Sequence, residues 1–336
     1  MVTVFDCGGR WGLHRSWRNF QLPLTYVSFE PDLVEADKLS LSIGELAKEN
    51  VNFIVANEAL NESECEATLN LYDERGLSSI FELNKQETYR YGNALLEEQV
   101  QIQTTTLDRF SGQCGLIPHF MSIDAQGATL PILKGGRGVL GSMLGIRCEV
   151  ELFPLYKKAP LFDSVFSFLR GESFRLLRME MCGPGIYGIS TEMNDFSVSP
   201  WDARPSSCDM IFANERLIEE LIEGEPDPAK TELISYFVAF CIHNGSGYYG
   251  LEILQNLLDL GKWESSLRLL SPAIASSLSE LIALYLSLPR GNVNKGFDGT
   301  TRFHSLFNQD PGLSVSNISA QTKEKILRIY SQKYEG

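Results

Sequence analysis

The sequence predicts an α/β fold, with a mostly parallel sheet followed by a helical C-terminal region. In the first half, short β-rich runs alternate with helical or turn-rich stretches, which is the pattern of βα units that feed a parallel sheet. After about residue 207 the apolar residues recur at helical spacing instead. We therefore predict a sheet domain over residues 1–207 and a helical region over residues 208–336.

Five β-rich runs carry the strand prediction, and each ends near polar residues. They cover residues 2–6, 25–30, 51–56, 119–124 and 145–152. Ligands in open α/β sheets bind outside the carboxyl ends of the strands. We therefore expect the functional residues where these runs end.

The segments between these runs have patterns of their own. Residues 31–50 have helical apolar spacing, with acids early and a lysine late, and predict a crossover helix. Residues 65–106 contain short strand-like pieces and predict a β-rich excursion. Residues 174–190 predict a hairpin whose turn is Gly183, Pro184 and Gly185.

Composition restricts the classes of function. The chain has 336 residues, 43% of them apolar and 21% charged, and a formal net charge of -14 with dispersed basic residues, which argues against a nucleic-acid partner. We find neither a signal-peptide pattern nor an apolar run long enough for a membrane span, and expect a cytoplasmic protein. Seven scattered cysteines without a CxxC pair indicate buried thiols rather than a zinc site.

The segment VFDCGGRWG, residues 4–12, ends the first strand with an acid and continues into a glycine-rich turn. Asp6, Gly8, Gly9 and Gly12 form this pattern. Glycine lets the backbone approach a ligand where a Cβ atom would clash, and a following helix offers its N–H groups. The spacing is not GxGxxG, which argues against a dinucleotide site.

Two more polar positions follow the second and third strands. Glu30 ends the second strand, where a carboxylate can accept hydrogen bonds from both ribose hydroxyls of an adenosine. Asn57 begins the segment NEAL after the third strand, where polar groups could face an adenine ring. The alternatives to an adenosine site are structural explanations of each part: a simple glycine turn, an acid before Pro31 and ordinary loop polarity. The combination favours an adenosine site.

Further candidate site residues lie after the fourth strand and on the fifth strand. Asp124 and Gln126 leave the fourth strand before a helix and could orient a nucleophile. Glu149 and Glu151 share one face of the fifth strand, because side chains alternate along a strand. A functional cleft would explain these acids, whereas an arginine partner such as Arg147 or Arg175 would make them structural.

These motifs resemble the FkbM-type family of S-adenosylmethionine-dependent methyltransferases. The matching segments occur in the family's order over about residues 2–180: VFDCGGRWG, YVSFEPD, NEAL, TTTLDRF, FMSIDAQGATLPILKGG, CEVELFPLY and FSFLRGESFRLL. The resemblance implies a Rossmann-like, seven-stranded methyltransferase sheet with a C-terminal helical layer. CDMIFANERL and the helices after it look like the C-terminal part of members associated with sugar-modifying gene sets.

The resemblance also implies roles for residues in this chain. The methionine end of S-adenosyl-L-methionine would be held by Asp6, Gly8, Gly9 and Gly12, the ribose by Glu30, and the adenine by Asn57 and Glu58, while Asp124 and Gln126 would face the transferred methyl group. Thr129 and Gln126 stand where the family commonly has glutamate. Arg10 and Trp11 replace the commoner glycine-loop residues, and we expect them near the cofactor's carboxylate or the substrate mouth.

The implied function is a cytoplasmic O-methyltransferase that acts on a hydroxyl of a sugar, a glycan or a small natural product. Asp124 is the expected base and His14 the second choice, with Glu149 and Glu151 orienting the substrate. Asp124 and these two glutamates could also bind Mg²⁺, but we expect no metal. The expected partner is a small-molecule or glycan acceptor, and a homo-oligomer is compatible with the sequence.

Two alternatives belong to other classes of function. One is a methyltransferase-fold interaction protein without turnover, whose helical region would be the partner surface. The other is an NAD-dependent sugar-modifying enzyme, which the glycine spacing disfavours.

Overall fold

A computed structural model describes residues 2–14, 17, 22–42, 51–85, 94–182 and 206–287. The chain divides into two compact units. The first contains Thr3–Leu13 and Thr25–Asn214. The second contains Val2, His14–Leu24 and the chain from Glu215 onward, as far as it is described. We describe each unit by itself.

A seven-stranded sheet forms the centre of the first unit. Its strands are β1 (Val2–Cys7), β2 (Leu24–Phe29), β3 (Val51–Ala56), β7 (Phe120–Ile123), β8 (Gly145–Glu151), β9 (Phe174–Cys182) and β10 (Ser207–Asn214). Their order is β3-β2-β1-β7-β8-β10-β9, with β1, β7 and β8 parallel and β10 antiparallel to both neighbours. The predicted α/β class and the predicted seven-stranded sheet are confirmed.

The two faces of this sheet differ in chemistry because side chains alternate along each strand. One face is apolar and packs in the main core, where Phe5, Met121, Ile146 and Phe212 are fully buried. On the other face the register aligns Asp6 with Ser122, Ser122 with Arg147, and Arg147 with Ile211. The sheet therefore has buried polar residues along one face, among them Asp6, Ser122 and Arg147.

Helices accompany the strands of the first unit. They are α1 (Leu33–Leu41), α2 (Leu107–Cys114), α3 (Thr129–Lys134), α4 (Arg137–Leu140) and α5 (Phe162–Gly171), with short 3-10 turns at Gly9–Trp11 and Arg75–Leu77. The side chain of Asp32 accepts a hydrogen bond from Val34 N at the start of α1, as an N-cap residue does. Helix α1 confirms the first part of the predicted crossover helix, and residues 43–50 lie outside the described residues.

The predicted β-rich excursion is a second sheet. It has three strands, β4 (Ala59–Leu60), β5 (Glu66–Tyr72) and β6 (Leu96–Thr105), in the order β4-β6-β5. Two isolated bridges extend from this region: Asn70 of β5 pairs with Ser79 in the following loop, and Leu83 pairs with Tyr156. The second sheet thus holds the loop that contains Ser79, through the bridge between Asn70 and Ser79.

The prediction of helical structure after about residue 207 is wrong for the first residues, because residues 207–214 form strand β10. Strand β10 is fully buried and pairs with β8 on one side and β9 on the other. Cys208, Met210 and Phe212 alternate into the apolar core, so tertiary pairing overrides a local pattern that also fits a helix. The compact units divide between Asn214 and Glu215, after the predicted boundary at residue 207. The proposed turn of the β9 hairpin lies outside the described residues.

The second unit is helical from Glu215 to the last described residue. Its helices are α6 (Glu215–Glu223), α7 (Pro228–His243), α8 (Gly247–Asp259), α9 (Trp263–Leu269) and α10 (Pro272–Ser287). Helix α7 begins after Asp227, which accepts a hydrogen bond from Lys230 N, and most of its side chains are buried. Among the described residues, we find no helix that is long and apolar enough to cross a membrane.

Candidate active site

The carboxyl ends of four strands meet at one edge of the sheet. Backbone hydrogen bonds continue beyond the strands: Gly8 N donates to Phe29 O at 3.2 Å, Glu30 N to Ala56 O at 3.0 Å, and Asp124 N to Cys7 O at 2.8 Å. The side-chain amide of Asn57 donates to Glu30 O at 2.9 Å. The structure therefore brings together Gly8, Glu30, Asn57 and Asp124, which the sequence predicted to share one site.

The glycine loop is packed tightly against this edge. Gly8 has a φ of 94°, and a Cβ atom there would lie 1.9 Å from the carbonyl oxygen of Asp124. A Cβ atom at Gly9 would lie 1.6 Å from the hydroxyl oxygen of Ser28. Gly12 has a φ of 73° and closes the turn by donating to Gly9 O at 2.8 Å. The first two glycines are therefore needed for contact with the protein itself, rather than only for approach to a ligand.

Arg10 connects the glycine loop to the start of α1. Its guanidinium lies 3.3 Å from a carboxylate oxygen of Asp32 and 3.4 Å from one of Glu35. All three side chains are at least four-fifths buried. The sequence predicted Arg10 near the cofactor or the substrate mouth, and the structure shows that it also holds the loop against α1. The side chain of Trp11 lies outside the described residues.

Asp6 is a buried acid beneath the glycine loop. The hydroxyl of Tyr26 donates to its carboxylate at 2.5 Å. Burial raises the pKa of Asp6 to about 7, although the hydrogen bond from Tyr26 acts in the opposite direction. The negative charge of Asp124 adds to the rise. Asp6 therefore changes its charge near neutral pH.

We expect Asp6 to make the protein less stable as the pH rises. Its pKa in the folded state, about 7, exceeds the ordinary value of 3.8, so the folded state retains a proton that the unfolded state has released. The free energy of unfolding should therefore fall between about pH 4 and pH 7. In Asp6→Asn this fall should be shallower by up to about 1.4 kcal/mol per pH unit. Urea unfolding at several pH values measures the slope.

The exposed Asp37 of α1 provides the control for this prediction, because Asp37→Asn removes a carboxylate from the surface. An Asp6→Asn protein with the slope of the wild type would show that Asp6 has an ordinary pKa.

Glu30 is the second buried acid at the edge. One of its carboxylate oxygens, Oε1, accepts a hydrogen bond from Asp32 N at 2.9 Å. Burial raises the pKa of Glu30 to about 7, while the hydrogen bond from Asp32 and the charge of Arg10 act in the opposite direction. The carboxylate thus needs further favourable partners to stay ionised at neutral pH.

Asp124 lies after β7, exposed at the same edge. Its Oδ1 atom accepts a hydrogen bond from Nε2 of Gln126 at 2.6 Å. On the other side of this amide, the hydroxyl of Tyr156 donates to Oε1 of Gln126 at 2.7 Å. Gln126 therefore contacts Asp124 through a hydrogen bond that can orient the Asp124 carboxylate.

The two glutamates of β8 have different surroundings. Glu151 is buried, and burial raises its pKa to about 7, with a further increase from the charge of Asp124 and a decrease from a hydrogen bond donated by Gly127. Glu149 is half-buried, and its backbone carbonyl accepts a hydrogen bond from the hydroxyl of Thr129 at 2.8 Å. Thr129 therefore connects the start of α3 to β8.

Arg147 forms ion pairs with two acids on neighbouring strands. Its guanidinium contacts the carboxylate of Asp209 on β10 and lies 3.7 Å from that of Glu180 on β9. Arg178 lies 2.8 Å from Glu180. These ion pairs give Arg147 a structural role that connects β8 with β10 and β9.

The remaining predicted site residues are His14 and Glu58. His14 belongs to the second compact unit, where its carbonyl accepts a hydrogen bond from Trp17 N at 2.8 Å. Glu58 is exposed between β3 and β4. Within the described ranges, no group of three or more His, Cys, Asp or Glu side chains is arranged to hold a metal ion.

The sequence predicted no role for two tyrosines that contact predicted site residues, Tyr26 beside Asp6 and Tyr156 beside Gln126. Tyr26 lies on β2, and strand alternation alone would have placed it on the side of the sheet opposite the side chain of Phe29. Tyr156 comes five residues after Glu151, at the end of the segment CEVELFPLY. Its contact with Gln126 depends on a loop path that periodicity does not reveal.

Comparisons with known proteins found one family model and a solved structure that are both described as FkbM methyltransferases. Residues 13–176 match the family model of the methyltransferase FkbM domain. The crystal structure of a methyltransferase FkbM from Methylobacillus flagellatus KT aligns at 12% identity with a TM-score of 0.35, covering 63% of this chain and 43% of that chain. The curated proteins contain no match. Over residues 13–176, this chain is therefore similar to the methyltransferase domain of the FkbM family.

Proposed function

We propose that this protein is an S-adenosyl-L-methionine-dependent O-methyltransferase that acts on a hydroxyl of a sugar, a glycan or a small natural product. The observation that carries the proposal is the meeting of Gly8, Glu30, Asn57 and Asp124 at one edge of the sheet. The match to the FkbM methyltransferase domain supports methyl transfer as the chemistry. The hydroxyl acceptor is the finer part of the proposal.

The side chains at this edge suit S-adenosyl-L-methionine in charge and in hydrogen-bonding capacity. Asp6 and Glu30 are acids, which favour a ligand with positive charge. The carboxylate of Glu30 can accept hydrogen bonds from ribose hydroxyls, and Asn57 and Glu58 follow β3 where the adenine would lie. When bound, S-adenosyl-L-methionine supplies an electrophilic methyl group on a sulfonium, with a neutral thioether as leaving group.

Asp124 is the base in the proposed mechanism. An acceptor hydroxyl is a poor nucleophile while it keeps its proton, and a carboxylate within hydrogen-bond reach removes that proton as the new C–O bond forms. Asp124 is exposed at the edge, so an acceptor can reach it. Glu149 and Glu151 on β8 are proposed to orient the acceptor's other hydroxyls. Most of the rate enhancement comes from alignment of the acceptor oxygen for in-line displacement.

Calorimetric binding of S-adenosyl-L-methionine tests the proposed site through Glu30. We expect the wild-type affinity to rise between pH 6 and pH 8, because the ionised carboxylate is the better acceptor and the pKa of Glu30 is about 7. In Glu30→Gln the affinity at pH 8 should fall by about tenfold or more, since a hydrogen bond to a charged group is lost. The affinity of Glu30→Gln for S-adenosyl-L-methionine should also depend less on pH than that of the wild type.

Glu98→Gln is the matched control, because Glu98 is exposed on β6 and has the same side chain. The absence of binding heat with the wild-type protein would overturn the proposed function. Undiminished binding by Glu30→Gln would remove Glu30 from the site.

The acceptor, a homo-oligomeric assembly and a cytoplasmic location stay predictions. The acidic edge favours an acceptor without negative charge, such as a neutral sugar, because an anionic acceptor would be repelled by Asp124 and Glu151. Comparing neutral sugars with the corresponding uronic acids as acceptors tests this part of the proposal.

A further inference from the structure

The side chain of Gln126 lies between Asp124 and Tyr156, and each end of its amide has one of them as a partner. Nε2 lies 2.6 Å from Oδ1 of Asp124, and Oε1 lies 2.7 Å from the hydroxyl oxygen of Tyr156. The hydroxyl of Tyr156 also lies 3.1 Å from the carbonyl oxygen of Leu77. Three side chains therefore form a chain of hydrogen bonds from a buried loop to the candidate base.

The chemistry of these groups allows one orientation of the amide. A carboxylate can only accept, so the Gln126 atom that faces Asp124 must be the NH₂ group. The carbonyl oxygen then faces Tyr156, whose hydroxyl can donate to it. If the amide turned over, its oxygen would face the carboxylate without a hydrogen between them. The carboxylate of Asp124 thus fixes the orientation of the amide, and the hydroxyl of Tyr156 is the partner of the carbonyl oxygen that this orientation turns toward it.

The backbone of this loop is held as firmly as the side chain. Gln126 has a φ of 49°, in the left-handed region that costs free energy for a residue with a Cβ atom. The hydroxyl of the buried Ser79 donates to Gln126 O at 2.6 Å. Tyr156 is fully buried, and its backbone forms a bridge with Leu83. Neighbouring loops therefore maintain a conformation that Gln126 would not adopt easily alone.

We propose that Gln126 and Tyr156 are positioning residues for Asp124: the tyrosine anchors the carbonyl end of the amide, and the amide donates to the carboxylate and directs it at the acceptor hydroxyl. This inference rests on the proposed function, because it takes Asp124 as the base. It changes the expected role of Gln126 from a residue that faces the transferred methyl group to one that acts through Asp124.

Other charged groups face Asp124 and determine how it responds to a substitution. Asp6 on β1 and Glu151 on β8 both interact electrostatically with Asp124, and each has its pKa raised to about 7 mainly by burial. The Asp124 carboxylate is thus already surrounded by acids, and the amide of Gln126 is a hydrogen-bond donor beside it. A carboxylate at position 126 would remove that donor and add another negative charge.

Gln126→Glu makes this change with almost no change in shape. Two carboxyl groups at hydrogen-bond distance share a proton, so the titration midpoint of Asp124 should rise by about one pH unit or more. Carboxyl carbon NMR of the protein without ligand measures the midpoint, with Asp124→Asn identifying the resonance. In turnover assays the rise of kcat with pH should move to higher pH by the same amount, so that kcat falls about tenfold at pH values below the wild-type midpoint.

Tyr156→Phe tests the other end of the chain. Without the hydroxyl the carbonyl end of the amide loses its anchor and Gln126 holds Asp124 less firmly, so kcat should fall by about three- to tenfold while KM for S-adenosyl-L-methionine stays within about twofold. Tyr72→Phe is the control, because Tyr72 is also buried and its hydroxyl accepts from Leu83 N at 2.9 Å. That variant loses a buried hydroxyl but should keep the wild-type pH profile.

The NMR and turnover measurements separate the inference from the proposed function. An unchanged midpoint of Asp124 in Gln126→Glu overturns the positioning role, whether or not the protein is active. An equal loss of kcat in Tyr72→Phe and Tyr156→Phe overturns the role of Tyr156. A raised midpoint without turnover on any hydroxyl acceptor supports the contact between Gln126 and Asp124 and overturns the methyltransferase activity.

Discussion

Gly8→Ala is expected to lower the free energy of unfolding by about 3–5 kcal/mol, through steric overlap and backbone strain together. The new Cβ atom would lie 1.9 Å from the carbonyl oxygen of Asp124. That backbone cannot move away easily, because Asp124 N donates to Cys7 O at 2.8 Å. The φ of 94° adds strain for any residue other than glycine. Urea unfolding at pH 7 measures the loss.

Two other glycines separate the causes of this loss. Gly115 has a φ of 69° but open space around its Cβ position, so Gly115→Ala adds only the strain, about 1 kcal/mol. Gly112 lies in α2 with open space, where alanine should stabilise the helix by about 0.5–1 kcal/mol. Equal losses of unfolding free energy in Gly8→Ala and Gly115→Ala would show that steric overlap with Asp124 adds nothing to the loss at Gly8.

Asp124→Asn is expected to lower kcat by about 10²–10⁴-fold, the usual contribution of a general base. The substitution keeps the shape of the side chain and removes its ability to take up the acceptor's proton. Binding of S-adenosyl-L-methionine should stay within about threefold of the wild type, because Asp124 acts on the acceptor. Steady-state kinetics with a neutral sugar acceptor, together with calorimetry, measure both quantities.

Asp37→Asn is the control, since Asp37 is exposed on α1. If Asp124→Asn keeps its kcat while Glu151→Gln loses it, the buried glutamate is the base. A large loss of affinity for S-adenosyl-L-methionine in Asp124→Asn would instead make Asp124 part of the cofactor site.

The sequence predicted which residues lie at this edge of the sheet, because that prediction needs only the local pattern at the end of each strand. A strand that ends in a polar residue predicts where that residue lies, and parallel strands bring their carboxyl ends to one edge. Glu30, Asn57 and Asp124 follow this rule, and the structure places them together. Their roles toward a cofactor stay predictions.

Other features depend on contacts between distant parts of the chain. Arg10 fits a position beside a ligand, but the acids of α1 lie within reach and bind it. The residues of β10 fit a helical pattern as well as an alternating one, and pairing with two other strands decides between them. Tyr156 reaches Gln126 across 30 residues of sequence. None of these contacts follows from spacing along the chain.

The position of β10 has a consequence for how the sheet is completed during synthesis. Strand β9 precedes β10 in the chain, yet β10 lies between β8 and β9. Until residues 207–214 have left the ribosome, β8 and β9 each lack the neighbour that their backbone groups require, and unpaired strand edges promote aggregation. A fragment that stops at residue 207 would keep both edges open permanently, so a productive fragment of this domain must extend through Asn214.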